Sequence, residues 1–242
     1  MAVSAMGRAA GFERATRGQV APAYKGNRRA FNKGLAAALA ALGLGLGLAG
    51  GARPAFARGP LIVVLGDSLS AGFGLTDMQN AFPARLETAL RGRRIDAQVV
   101  NAGVSGDTSA GGRSRLGWSL LPNTDLMIVE LGANDALRGL NPAATYANLD
   151  AILADLNKRN VPTLLAGMLA PPNLGEEYGT AFAGVFTRLA AAYPVTLYPF
   201  FLDGVAAQRE LLQADGKHPN EAGVEVIVVN ILPTVLKALG GK

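Results

Sequence analysis

The 242-residue sequence has no cysteine, a single histidine and few aromatic side chains. The absence of cysteine excludes a disulfide, a thiol nucleophile and a cysteine-ligated metal. Zinc sites usually combine several histidine or cysteine ligands, so one histidine argues against a zinc centre and we expect no metal. An acid–base reaction near neutral pH that needs an imidazole has His218 as its one candidate.

Residues 1–57 have the composition of an export signal. Residues 28–33 read Arg-Arg-Ala-Phe-Asn-Lys, which resembles a twin-arginine signal. An uncharged run rich in Ala, Leu and Gly follows over residues 34–52, and Ala-Phe-Ala at residues 55–57 is a small-x-small cleavage site. An ordinary secretory signal and an uncleaved anchor are the alternatives. We predict cleavage after Ala57 and a periplasmic or secreted protein whose single domain is residues 58–242.

The basic character of the chain comes from this first segment. Residues 1–57 hold 8 of the 23 basic and 1 of the 18 acidic residues, which leaves 15 and 17 and a formal charge of −2 for the remainder. A nucleic-acid-binding domain would need a basic surface that this remainder lacks. We therefore expect no nucleic-acid partner, and contact with a membrane only through the export signal or a lipid substrate.

Apolar, β-branched runs alternate with helical patterns in residues 58–242. The alternation predicts parallel strands joined by right-handed crossovers, and hence a three-layer α/β domain. The predicted strands are residues 61–65, 97–101, 126–131, 162–168 and 195–198, and the predicted helices are residues 81–90, 145–159, 182–193 and 221–239.

Polar and glycine-containing segments follow the predicted strands. In open parallel sheets the ligand site lies beyond the carboxyl ends of the strands, so these segments are expected to converge on one cleft. They are Gly66-Asp67-Ser68 after the first strand, residues 103–106 after the second, Gly132-Ala133-Asn134-Asp135 after the third and residues 169–173 after the fourth.

Ser68, Asp215 and His218 are the candidates for nucleophilic chemistry. A serine hydroxyl needs a base to remove its proton, and a carboxylate three residues before His218 can bind its Nδ1–H and leave Nε2 for the serine. Gly66 is expected to permit a sharp turn before Ser68. The alternatives are that Ser68 or Asp67 caps the next helix, and that Asp215 and His218 form a surface pair.

Three donors are candidates for stabilising an oxyanion. They are the backbone amides of Ser68 and Gly106 and the side-chain amide of Asn134, each of which follows a different predicted strand. Taken singly, Gly106 could equally form a tight turn and Asn134 a helix cap or an Asx turn.

Four segments together resemble the GDSL, or SGNH, hydrolase family, and they occur in the family's order over nearly all of residues 58–242. The branch with the strongest likeness contains bacterial acyl-thioesterase/lysophospholipase enzymes and arylesterases, through residues 130–139 and 197–201. The segments are Gly66-Asp67-Ser68-Leu69-Ser70-Ala71-Gly72, Asn101-Ala102-Gly103-Val104-Ser105-Gly106-Asp107-Thr108-Ser109, Glu130-Leu131-Gly132-Ala133-Asn134-Asp135 and Asp215-Gly216-Lys217-His218-Pro219-Asn220.

The resemblance implies a flavodoxin-like α/β/α fold with a five-stranded parallel sheet of order 2-1-3-4-5. It also implies Ser68 as nucleophile, His218 as base and Asp215 as its partner, with Ser68, Gly106 and Asn134 forming the oxyanion hole. Two positions depart from many relatives: Ala133 often appears as glycine and Lys217 as an apolar residue. Neither change removes a catalytic atom.

These observations predict an exported serine esterase that acts on aryl and acyl esters, and on acyl thioesters or lysophospholipids. It would need no cofactor and act as a monomer, with a small-molecule or lipid ester as its partner. The acyl chain is expected near Phe73, Leu137 and residues 169–174. The alternatives are a carbohydrate esterase that deacetylates envelope glycans, and a non-catalytic binding protein on the same scaffold.

Overall fold

The computed structural model describes residues 58–240, and the predicted export signal lies outside them. Five parallel strands form one sheet of order β2-β1-β3-β4-β5. This arrangement confirms the predicted fold class and strand order. The strands are β1 (Leu61–Gly66), β2 (Gln98–Gly103), β3 (Leu126–Glu130), β4 (Thr163–Ala166) and β5 (Thr196–Tyr198).

Helices cover both faces of the sheet. On one side α2 packs against α7, and on the other α3 and α6 both pack against α5. The helices are α1 (Ser68–Ala71), α2 (Phe82–Gly92), α3 (Ser109–Ser119), α4 (Ala133–Leu137), α5 (Pro142–Lys158), α6 (Glu176–Ala192) and α7 (Glu221–Ala238).

The core lies on both faces of the three inner strands. Every residue of β3 and β4 is buried, as is all of β1 beyond its first residue, whereas the edge strand β2 has a single buried residue, Val99. Continuous β-branched and apolar runs are what a parallel sheet covered on both faces requires. Phe82, Leu86 and Leu90 recur every four residues along α2 and are fully buried, so one stripe of that helix faces the sheet.

All nine predicted strands and helices are present, with shifted ends. The largest shift is in α6, which begins at Glu176 rather than at residue 182 because the acidic side chains of its first turn lie outside the apolar pattern. Three helices, α1, α3 and α4, were not predicted. In residues 58–240 no helix combines the length and the apolar character needed to cross a bilayer.

Candidate active site

The turn after β1 presents Ser68 at the carboxyl edge of the sheet. Gly66 is required there for space rather than for a sharp turn, since a Cβ on it would lie 2.3 Å from Ser70 Oγ and 2.6 Å from Glu130 Oε2. Asp67 caps α1, because its Oδ1 accepts a hydrogen bond of 3.0 Å from the Leu69 amide. Ser68 is the first residue of the helix, so its hydroxyl is not the cap.

Ser68, His218 and Asp215 are joined by hydrogen bonds, although 150 residues separate the serine from the histidine. His218 Nε2 lies 2.9 Å from Ser68 Oγ, and His218 Nδ1 lies 2.5 Å from Asp215 Oδ2. With the proton on Nδ1 facing the carboxylate, Nε2 is the acceptor for the serine hydroxyl. The arrangement therefore has the connectivity of a nucleophile, a base and an orienting carboxylate.

Asp215 is held in its ionised form. Desolvation acts to raise its pKa, but the hydrogen bond to the His218 ring and those from the Lys217 and His218 amides outweigh it and lower the pKa to about 2. Asp215 Oδ1 accepts from these two amides at 2.9 Å and 3.1 Å. The loop backbone thus fixes the carboxylate that contacts the imidazole.

Gln213 joins the loop of His218 to the loop that follows α1. Its Nε2 donates to the Phe73 carbonyl at 2.7 Å and to the Pro219 carbonyl at 2.9 Å, and its backbone amide donates to the His218 carbonyl at 2.8 Å. The Phe73 ring lies with its centroid 4.6 Å from that of the His218 ring. Sequence reasoning missed Gln213, because its bond to Phe73 crosses 140 residues.

The predicted oxyanion donors lie together at the ends of β1, β2 and β3. The Asn134 Nδ2 atom donates to Asp67 Oδ2 at 3.1 Å and to the Asp107 carbonyl at 2.9 Å, so it contacts the neighbours of both Ser68 and Gly106. Among residues 58–240 the amides of Ser68 and Gly106 have no acceptor. Two N–H groups are therefore free to bind a developing negative charge.

The local structure explains the conformations of Gly106 and Asn134. Gly106 has a φ of +86°, in the left-handed region that favours glycine, and its carbonyl accepts a 2.8 Å bond from Arg138. Asn134 lies in the first turn of α4, whose N-cap is Gly132 and has no side-chain cap. Gly106 thus also forms the tight turn considered above, whereas Asn134 is not a cap.

Arg115 of α3 forms hydrogen bonds that link Asp107, the residue after Gly106, to the ends of two strands. Its guanidinium donates to the Gly66 carbonyl at 2.7 Å, to the Ala102 carbonyl at 2.5 Å and to Asp107 Oδ2 at 2.6 Å. It therefore connects the ends of β1 and β2 to the residue after Gly106. The sequence alone did not indicate this role.

Two buried carboxyl groups lie behind the serine. Burial raises the pKa of Asp67 to about 6, and burial, followed by the neighbouring Asp67 charge, raises that of Glu130 well above its usual value. Glu130 Oε2 accepts from Ser70 Oγ at 2.6 Å and from the Asp67 amide at 3.3 Å. The raised pKa means that the fold favours the protonated form of Glu130 more than water does.

Asp135 joins α4 to the start of α3. It is buried and accepts from the Ser109 amide at 2.7 Å, from Ser109 Oγ at 2.5 Å and from Thr145 Oγ1 at 3.0 Å. Because Asn134 precedes Asp135 in α4, these hydrogen bonds also fix the helix that carries the third candidate donor. Residues 58–240 contain no group of three or more histidine, cysteine, aspartate or glutamate side chains that could hold a metal ion.

The comparisons with known proteins agree with this fold. The sequence matches the GDSL-like lipase/acylhydrolase family over residues 64–226, more than half of the chain. The chain therefore belongs to this family. Membership of this family, together with curated relatives that are named as esterases and thioesterases, makes it a carboxylic ester hydrolase.

Three curated bacterial relatives each match about two thirds of this chain or more. Esterase TesA of Pseudomonas aeruginosa is 41% identical, over 72% of this chain and 87% of the relative. Thioesterase 1/protease 1/lysophospholipase L1 of Escherichia coli K12 is 39% identical, over 66% and 75%. Arylesterase of Vibrio mimicus is 37% identical, over 65% and 79%.

Two solved structures extend the comparison. The SGNH-hydrolase family esterase AlinE4 is 48% identical with a TM-score of 0.63, and the match covers 75% of this chain and 97% of that one. The psychrotrophic esterase EstA of Pseudoalteromonas sp., in a structure inhibited by monoethylphosphonate, is 31% identical with a TM-score of 0.69 over 73% and 97%.

Proposed function

We propose that the protein is an exported serine esterase that hydrolyses aryl and acyl esters through an acyl-enzyme intermediate. One observation carries the proposal: His218 Nε2 lies 2.9 Å from Ser68 Oγ while its Nδ1 contacts Asp215. The free amides of Ser68 and Gly106 adjoin this serine and supply the second requirement, a site for the oxyanion.

The reaction proceeds in two halves. Ser68 Oγ attacks the acyl carbonyl while His218 Nε2 takes its proton, and the oxygen becomes an anion bound by Ser68 N, Gly106 N and Asn134 Nδ2. The ester bond then breaks, and the leaving alcohol or thiol takes the proton from His218. Water attacks the acyl-enzyme with the same histidine as base, which releases the acid and restores Ser68. Asp215 stabilises the imidazolium in both halves.

The rim of the site favours an apolar acyl group. Phe73 and Leu169 lie on loops and Leu137 ends α4, each beyond a different strand, and about half of each residue is exposed: 51%, 51% and 49%. Covering such surface with an acyl chain is favourable at about 25 cal/mol per Å². Acyl thioesters and lysophospholipids share this apolar part with aryl esters, so we include them in the proposed substrate range.

Replacement of the nucleophile tests the proposal. Ser68→Ala is expected to lower kcat for a medium-chain aryl ester by about 10⁴-fold or more, because no hydroxyl remains to form the acyl-enzyme. Thermal unfolding should stay within a few degrees of wild type. The control is Ser114→Ala on the exposed surface of α3, where the hydroxyl bonds only the Gly111 carbonyl.

Chemical labelling supplies an independent measurement. A phosphonate ester is expected to add one phosphonyl group to the wild-type protein at Ser68, identified by peptide mass spectrometry, and none to Ser68→Ala. A folded wild-type protein that stays unlabelled, or a Ser68→Ala variant that keeps most of its turnover, would refute the proposal. Acetylated glycans assayed beside medium-chain aryl esters distinguish the carbohydrate esterase alternative.

A further inference from the structure

Asp67 uses its two carboxylate oxygens on two different partners. Oδ1 accepts from the Leu69 amide at 3.0 Å, and Oδ2 accepts from Asn134 Nδ2 at 3.1 Å. The side chain has no exposed surface. Asp67 therefore joins the start of α1, which carries Ser68, to the start of α4, which carries the third oxyanion donor.

Asn134 depends on this contact for the orientation of its amide. Its Nδ2 has two hydrogens and donates to two acceptors, Asp67 Oδ2 and the Asp107 carbonyl. A flip of the amide would place its oxygen against these two oxygens and leave both without a donor. The two acceptors together hold the nitrogen, rather than the oxygen, towards the site.

We propose that Asp67 is a positioning residue for the oxyanion hole, which acts through Asn134 to hold the side-chain amide nitrogen where the developing oxyanion forms. This inference rests on the proposed function of the site. When the oxyanion forms, Asn134 shares one of its two hydrogens with it, and the carboxylate keeps the amide plane in place while it does so. Asp67 itself does not touch the reacting atoms.

The surroundings of Asp67 fix the carboxylate in turn. Its own amide donates to Glu130 Oε2, which also accepts from Ser70 Oγ, so the backbone of the turn is tied to the end of β3. Asn134 and Asp135 start α4 beside it, and Asp135 is anchored to Ser109. Both ends of the Asp67–Asn134 bond thus lie on buried, hydrogen-bonded supports.

Asp67→Asn changes the polarity of one oxygen at nearly constant shape. The Leu69 amide and Asn134 Nδ2 are both donors, and asparagine offers them one oxygen and one NH₂ group. One of the two bonds is therefore lost, whichever way the new amide turns. Asp67→Ser is the complementary change, because serine is a good helix N-cap but is too short to reach Asn134.

The experiment is a double-mutant cycle with an aryl ester. Asp67→Ser is expected to lower kcat about 10- to 100-fold with KM within about 3-fold of wild type, a smaller loss than the 10²- to 10³-fold typical of a deleted oxyanion donor. In the Asn134→Ala background, the same change should lower kcat by less than about 3-fold, since its target is gone. Asp67→Asn keeps one of the two bonds, so it should lower kcat by no more than Asp67→Ser does.

Asp77→Asn is the matched control. Asp77 caps a 3-10 turn in the same manner, accepting from the Gln79 amide at 2.8 Å, but it is exposed and contacts none of the proposed donors. Its kcat and KM should equal those of wild type within about 2-fold.

Two results would overturn the inference. One is a wild-type kcat for Asp67→Ser, and the other is a loss of kcat that is equally large with and without Asn134, which would mean that Asp67 acts through α1 alone. Neither result bears on the nucleophile. Failure of the proposed function would instead appear as turnover by Ser68→Ala or as a wild-type protein that hydrolyses no ester.

Discussion

Glu130 ends β3 with no exposed surface, directly behind the turn that carries Ser68. Burial, followed by the Asp67 charge, raises its pKa well above the usual value of 4.5. The folded protein therefore keeps a proton on Glu130 at pH values at which the unfolded chain has released it. Because the native state then binds more protons, this group makes stability fall as pH rises above about 4.5.

Glu130→Gln should remove that pH dependence, because an amide resembles the neutral acid in shape and can still accept from Ser70. As pH rises above about 4.5, the free energy of unfolding of the wild-type protein should fall relative to that of the variant, by at most about 1.4 kcal/mol per pH unit. Urea unfolding at several pH values measures the difference. Below pH 4.5 the two proteins should agree within about 0.5 kcal/mol. Parallel curves over the whole pH range would contradict a raised pKa for Glu130.

The residues that could be predicted from the sequence are those whose chemistry and place at a strand end coincide. Ser68, Gly106 and Asn134 each follow a different strand, and His218 has no rival, so their proximity could be predicted before their distances were known. Asp67 and Glu130 lacked such a signal, because their roles depend on contacts across 60 or more residues. A carboxylate directly after the apolar run of β3 was the available clue to Glu130.

At the scale of the elements, α3 shows where periodicity fails as evidence. Its sequence, SAGGRSRLGWS, contains three glycines, and only three of its residues are buried. Glycine costs about 1 kcal/mol relative to alanine inside a helix, so the pattern argued against a helix. Close packing nonetheless requires a glycine at position 112 of this helix, because a Cβ there would lie 2.2 Å from Leu131 Cδ1. The longer apolar helices and the strands carried a clearer signal.

The hydrogen bonds of Arg115 give α3 a function in the site. They connect this helix to the ends of β1 and β2 and to Asp107, and the side chain is 19% exposed. Arg115→Lys should destabilise the fold by about 2–3 kcal/mol, because an ammonium group cannot satisfy acceptors spread across a planar fork. It should also lower kcat, since the segment of Gly106 loses its support.

Chemical unfolding and aryl-ester turnover measure the two effects of Arg115→Lys. The control is Arg113→Lys on the same helix, where the side chain is exposed and makes one long contact of 3.4 Å with Asn148. That variant should stay within about 0.5 kcal/mol of wild type. Equal stability of the two variants would show that the Arg115 bonds do not hold these elements together.

At the scale of the whole molecule, the alternation of strands and helices was sufficient for the layers, whereas the strand order came from the resemblance. Parallel strands with right-handed crossovers leave several possible orders, and local sequence does not distinguish among them. The order places β1 between β2 and β3. Their carboxyl ends are thus adjacent, and Ser68, Gly106 and Asn134 meet although 66 residues of chain separate the first from the last.

The charge distribution of the whole chain supports a prediction about its processing. The full sequence carries a formal charge of +5, whereas residues 58–242 carry −2. Cleavage after Ala57 on export should therefore yield a protein that begins at Arg58 and has an acidic isoelectric point. Intact-mass analysis of the periplasmic and culture fractions, with anion exchange at pH 8, measures both properties.

The route of export is tested in the same cells. Replacing Arg28 and Arg29 by lysine should leave the protein uncleaved in the cytoplasm, because the twin-arginine transport machinery recognises the pair of arginines. The control is an Arg14→Lys, Arg17→Lys variant, which keeps the charge and alters arginines outside the pair. If the Arg28/Arg29 variant is exported and cleaved as efficiently as this control, the segment is an ordinary secretory signal. If the wild-type protein is found uncleaved in the membrane fraction, residues 1–57 are a membrane anchor instead.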